Sequence, residues 1–132
     1  MDRVDCIGAL VYDEAGRLLV VQRGHDPGAG LWSIPGGRVE AGESDAEAVI
    51  REVAEETGLI VTVGDLAGEV ERPGPPGTTY VIRDYHATAT AGTLTPGDDA
   101  ADARYATRPD LLSLPTTPLL IETLNDWNAL PD

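Results

Sequence analysis

The chain has 132 residues, 42% of them hydrophobic, and a formal net charge of −14 at pH 7. That length fits one domain, residues 1–132, with a core of respectable size. The acidity opposes contact with a nucleic-acid backbone, with an anionic membrane and, unless cations intervene, with a free nucleotide. Lysine and phenylalanine are absent, and Ala, Gly and Pro are abundant; the bias fits a GC-rich genome or a salt-adapted one. The longest apolar runs are far too short to span a bilayer. No basic N-terminal segment leads into a signal-like stretch, so a soluble cytoplasmic protein is expected. Cys6, the single cysteine, has no internal disulfide partner and is expected to pack as a small core residue.

In chain order, "VDCIGALVYD" and "RLLVVQR" read as β-rich runs joined by the turn "DEAG". "GHDPGAG" is a loop of breakers. "LWSIPGGRVEAGE" then leads into the best-marked element. Ser44 and Glu47 have the S-x-x-E form of a capping box, Ala46, Val49, Ile50 and Val53 recur at helical spacing, and Gly58 is placed as a stop. The spacing predicts a helix over Asp45–Thr57 with those four residues buried and Glu52, Glu55 and Glu56 on another face, bordering a cleft. "LIVTVGDLAGEVER" and "TTYVIRDYHATATA" read as strands, "ARYA" as a short one, and "PDLLSL" as a helical turn or two. Thr117 and Pro118 read as N-cap and first position of a last helix. The pattern predicts an α/β fold, a mixed β-sheet sandwiched between helices.

Three carboxylates at i, i+3 and i+4 repel one another by about 0.2–0.5 kcal/mol per pair on a helix. The cluster becomes favourable around a hard cation, since Mg²⁺ takes oxygen ligands from a few carboxylates and from substrate phosphates. Such an ion also offsets the repulsion between an acidic protein and an acidic substrate, polarises a phosphoryl oxygen and activates water.

From Gly37 to Leu59 the sequence runs G-x5-E-x7-R-E-U-x-E-E-x-G-U, with U aliphatic. Every defined position resembles the signature of Nudix hydrolases, and "PGG" and "VVQR" upstream look like the same family. The resemblance implies the Nudix fold, in an α/β/α arrangement, and Mg²⁺-dependent (or Mn²⁺-dependent) hydrolysis of a pyrophosphate bond. By resemblance, Glu52 and Glu56 are principal metal ligands, and Glu55 is a further ligand or the water-activating base. The carbonyl of Gly36 is a backbone ligand, and Gly37 permits close approach of loop and cleft. Arg51 orients a glutamate; the family ties it to the position of Glu43, and its helical spacing also allows a pair with Glu47. Asp98, Asp99 and Asp102 in "PGDDAAD" are the alternative general bases.

The resemblance implies a nucleotide substrate, with three hints toward ADP-ribose, cleaved to AMP and ribose 5-phosphate. The whole chain resembles the short ADP-ribose-pyrophosphatase-like branch, with Tyr105 where many relatives have tryptophan. Pro75 lies sixteen residues beyond the motif, where such members often carry a proline, and the coenzyme A signature is missing. The alternative is a sanitising hydrolase of oxidised nucleotides such as 8-oxo-dGTP; a third reading, a non-cleaving ligand sensor, sits poorly with an intact set of glutamates. Arg23, Arg38 and His25 are the candidate substrate contacts. Tyr80 and His86 share one strand face and Tyr85 takes the other, with stacking on adenine or core packing as their roles. Trp32 is expected under the metal loop and Trp127 in the core or at a dimer contact, since relatives often form homodimers.

Overall fold

The computed structural model describes residues 2–132. In chain order it forms β1 (Asp2–Val11), β2 (Leu18–Arg23), β3 (Trp32–Ser33), β4 (Gly36–Arg38), α1 (Asp45–Thr57), β5 (Leu59–Pro73), β6 (Thr78–Gly92), β7 (Ala100–Ala106), α2 (Arg108–Ser113) and α3 (Leu120–Asp126). The strands make two sheets: a four-stranded one in the order β4-β1-β6-β5 and a three-stranded one in the order β3-β2-β7. β1 and β6 are parallel, with Asp2 opposite Thr78 and Val11 opposite Ala87; the other pairings are antiparallel. The single mixed sheet expected from sequence is thus divided. β1 and β2 share only the bridge Tyr12–Leu18 beyond their turn before entering different sheets.

Both faces of the central strands are buried. Ala9, Val11 and Leu19 pack with Ala48, Val49 and Val53 of α1. The alternate residues Leu10, Leu18 and Val20 pack with Trp32, Leu111 of α2 and Leu124 of α3. Period-two alternation between two apolar clusters places the strands between helix layers, the expected α/β/α arrangement. Each fully buried Leu or Val adds roughly 1.5–3 kcal/mol.

Helix α1 begins and ends where its sequence signals lie. Ser44 N donates to Glu47 Oε1 at 3.0 Å and Glu47 N to Ser44 Oγ at 3.1 Å, and Gly58 closes the helix at φ 75°. Its buried stripe differs from the expected one: Ala48, Val49, Val53 and Thr57 are inside, whereas Ala46 and Ile50 are exposed. The reason is an anchor at the first turn. Arg83 of β6 donates to both Asp45 oxygens (2.6 and 2.9 Å), and the Tyr85 hydroxyl adds a third bond (2.5 Å). Drawing Asp45 to the sheet turns the line 45–49–52–56 inward, so Glu52 and Glu56 stand beside the apolar stripe and only Glu55 is exposed.

Three further expectations are corrected. Thr117 does not cap α3: its N–H donates to Trp32 O (3.0 Å) as part of the join between the 115–117 segment and β3, and the helix starts after Leu119, at φ 69° and without a side-chain cap. Trp32 packs against the α2–α3 cluster, with the Arg104 guanidinium 5.9 Å from its ring centroid. Cys6 is half-buried and borders a cleft, with burial pushing its thiol pKa up. Trp127 packs on the second cluster and against Gly68, as the core reading requires.

Candidate active site

Strand β4 brings two glycines against α1. Gly36 N–H donates to Glu56 Oε2 at 2.9 Å. A Cβ on Gly37 would stand 2.7 Å from the Glu52 carboxylate carbon, while one on Gly36 would overlap the Ile7 carbonyl of β1. The absent side chains therefore let strand, helix and carboxylates come together.

Arg51 holds the acids in order. Its Nε and Nη2 form a fork on Glu43 (2.7 and 2.9 Å), and Nη1 reaches Glu52 (2.8 Å) and, more loosely, Glu55 (3.3 Å). Nη2 also donates to the Arg38 carbonyl at 3.0 Å. The fork, aided by the Glu40 N–H, pulls the Glu43 pKa down to about 2. The alternative pair with Glu47 does not form, because that carboxylate is committed to the N-cap.

Glu56 is left with the Gly36 N–H and the adjacent Glu52 carboxylate. Burial, then the Glu52 charge, pushes its pKa up to about 8. Burial also raises Glu52, against the pull of Arg51. Two half-buried acids side by side, one of them not reached by the guanidinium, call for a shared positive charge. Their hard oxygen donors, with exposed Glu55 and the Gly36 carbonyl nearby, fit a divalent cation such as Mg²⁺. Among the described residues no three acidic, histidine or cysteine side chains stand ready as a coordination sphere. Arg51 accounts for this by drawing Glu52 and Glu55 toward itself.

These carboxylates line a cleft of about 730 Å³, together with Arg23, His25, Asp98 and Asp99. The Asp98 loop is latched to the end of α1: Thr95 N donates to Thr57 O (2.8 Å) and Gly97 N to Glu56 O (2.9 Å). Arg23 Nε donates to Pro27 O at 2.7 Å, steadying the loop that carries His25. Two of the sequence candidates lie elsewhere. Arg38 is exposed over the Tyr80 ring, 5.9 Å from its centroid. Asp102 is outside the cleft lining and accepts from Ala103 N at 2.8 Å. Nor do Tyr80, Tyr85 or His86 line this cleft; Tyr85 binds Asp45 and His86 stacks on Tyr12.

A second cleft of about 370 Å³ shares Val21, Arg23, Gly36 and Glu56 with the first. On it stand Arg72 and buried Asp84, which the sequence reading missed. The signal was an acid in mid-strand, on the same face as Ile82.

A cleft lined by helix carboxylates that an arginine clamp holds in place, in an α/β/α frame, defines a class, and the chain belongs to it: it matches the NUDIX domain family model over residues 2–126. An ADP-ribose pyrophosphatase of Methanocaldococcus jannaschii is 37% identical over 106 residues, 80% of this chain and 61% of that protein. The CTP pyrophosphohydrolase of Escherichia coli K12 is 30% identical over 131 residues, 98% of this chain and 95% of that one. A putative 8-oxo-dGTP diphosphatase of Bacillus subtilis is 42% identical over 64 residues, 48% of this chain and 41% of its own length. The chain thus spans less than two thirds of the archaeal and Bacillus relatives. Among solved structures, that of the E. coli ORF135 protein superposes with a TM-score of 0.82 at 28% identity, covering 98% of this chain and 93% of that one. A MutT NUDIX hydrolase from Burkholderia pseudomallei gives 0.82 at 28% identity, covering 95% and 98%. Among the described residues no helix is long and apolar enough to cross a membrane.

Proposed function

We propose that this protein is a Mg²⁺-dependent pyrophosphohydrolase of nucleoside diphosphates linked to another moiety, with ADP-ribose as first substrate and AMP and ribose 5-phosphate as products. The observation that carries this is the Glu52–Glu56 pair, half-buried and short of positive charge, facing a cleft that also presents Arg23. Glu52, Glu56 and the Gly36 carbonyl would hold the ion, with Glu55 as a further ligand or else as the base, and with Mn²⁺ as a substitute for Mg²⁺. When bound, the ion supplies charge neutralisation and polarisation of the phosphoryl oxygens. The chain's own groups do the rest. Arg23 and His25 orient the substrate. Arg51 fixes Glu52 and Glu55 relative to Glu43, so little ordering remains for the moment of reaction. As the base, Glu55, with 60% of its side chain exposed, takes the proton from the attacking water, and Asp98 and Asp99, which line the same cleft, are the alternatives. Water adds to one phosphorus and the P–O–P bond breaks.

A sanitising activity on oxidised nucleoside triphosphates such as 8-oxo-dGTP is the second reading, supported by the Bacillus relative. A panel of nucleotides with Mg²⁺, products resolved by chromatography, separates the two. AMP plus ribose 5-phosphate from ADP-ribose supports the first; pyrophosphate released solely from triphosphates refutes it in favour of the second. The proposed setting is a single cytoplasmic domain acting on a small molecule, without nucleic acid or membrane, as a monomer or homodimer.

A further inference from the structure

The second cleft has apolar walls from Ile34, Val70, Ile82 and Leu119. Asp84, 6% exposed, is among its lining residues. Its Oδ1 is the one fully buried side-chain polar atom among the described residues without a hydrogen-bond partner. Gly8, its register partner on β1, makes the room: a Cβ there would overlap that same oxygen. Burial alone pushes the acid up to about 6; no cation stands beside it. An oxygen buried without a donor costs about 1–3 kcal/mol, which a ligand bringing a donor recovers. A slot with apolar walls and a few polar groups, here Arg72, Thr117, Thr123 and the unpartnered Asp84, has the anatomy of a small-molecule subsite. The slot joins the carboxylate cleft through Val21, Arg23, Gly36 and Glu56, so a nucleotide with its diphosphate at the glutamates can lay its base in the slot.

We propose that Asp84 is a specificity-determining residue that selects nucleotides whose base carries an exocyclic amino group, as adenine and cytosine do, over those with an oxo group there, as in hypoxanthine and uracil. The amino N–H donates to the Asp84 carboxylate, whose orphan oxygen, enclosed over Gly8 in the unliganded protein, turns toward the base. An oxo group in its place sets acceptor against acceptor in a buried site, where the mismatch is most costly. This inference rests on the nucleotide-hydrolase reading, deepens it, and is tested apart from turnover.

The experiment is calorimetry of AMP against IMP and of CMP against UMP, with Mg²⁺ present, on the wild-type protein and D84N. The wild type should bind the amino member of each pair at least roughly tenfold more tightly. In D84N, whose amide both donates and accepts, that ratio should fall toward one. Equal affinities in the wild type, or a ratio unchanged in D84N, overturns the proposal, and the wild-type ratio stands as a test even where D84N does not fold. A parallel assay of ADP-ribose and its hypoxanthine counterpart separates the two levels. Cleavage without base preference removes only the role of Asp84; base preference without cleavage removes only the hydrolase.

Discussion

The adjacent glycines of β4 should fail in different ways. In Gly37→Ala the new Cβ arrives 2.7 Å from the Glu52 carboxylate carbon, whereas ordinary contact begins near 3.4 Å. The carboxylate must retreat by about 0.7 Å, which exceeds the roughly 0.5 Å tolerance of a catalytic arrangement. A misplacement of about 1 Å can lower a rate about 100-fold, so kcat/KM should fall by roughly 10- to 100-fold. The neighbour that yields is a side chain and the backbone needs no left-handed φ, so the unfolding midpoint should barely move. In Gly36→Ala the Cβ overlaps the Ile7 carbonyl. Backbone cannot step aside without breaking the β1–β4 pairing, so this variant should lose stability as well as activity. Thermal unfolding, a Mg²⁺ titration and steady-state hydrolysis of ADP-ribose on both variants check this. Wild-type kcat/KM and metal affinity in a folded Gly37→Ala protein would refute the claim that Glu52 is positioned by the missing side chain.

Glu56→Gln should cost two or more orders of magnitude in rate and weaken Mg²⁺ binding while the fold persists; unchanged activity contradicts the metal assignment. Glu43→Gln should lower the melting temperature at neutral pH. The folded pKa of Glu43 lies near 2 against an ordinary 4.5, so its contribution is complete above 4.5 and lost as pH falls through about 2. The gap between wild type and Glu43→Gln should close over that window, and a gap that persists below it argues against the Arg51 fork. Asp84 has the opposite sign. With its pKa raised to about 6 from 3.8, its contribution is complete below 3.8 and lost as pH rises through 6. The melting temperature of D84N relative to wild type should therefore climb by about 4 °C or more across that interval, and a flat difference contradicts the burial of a lone acid.

The local elements were legible where the signal is local. The box at Ser44 and Glu47 and the stop at Gly58 set both ends of α1 because cap and turn chemistry depend on a few adjacent residues. The roll of that helix about its axis was not legible, since Asp45 is fixed by Arg83 and Tyr85 far along the chain. The start of α3 was hidden for a similar reason: Thr117 has cap chemistry, but the edge of β3 takes its N–H. The motif identified Glu52, Glu55, Glu56 and Arg51 together. Arg38 and Asp102 fell outside the cleft because proximity in sequence to glycines or to a loop says nothing about direction. Asp84 went unnoticed because its significance lies in what surrounds it, namely Gly8 across the pairing and the apolar walls.

The latch between the Asp98 loop and α1 has a mechanical consequence. Carbonyls at the C-terminal end of a helix lack partners within it, and here Thr95 and Gly97 serve two of them. Fraying of the last turn must then release the loop, and lifting the loop must expose that turn. The amide protons of Thr95 and Gly97 should exchange with solvent in step with those of the final turn. The two acidic banks of the cleft open as one unit, so a lengthened tether in this stretch loosens both at once.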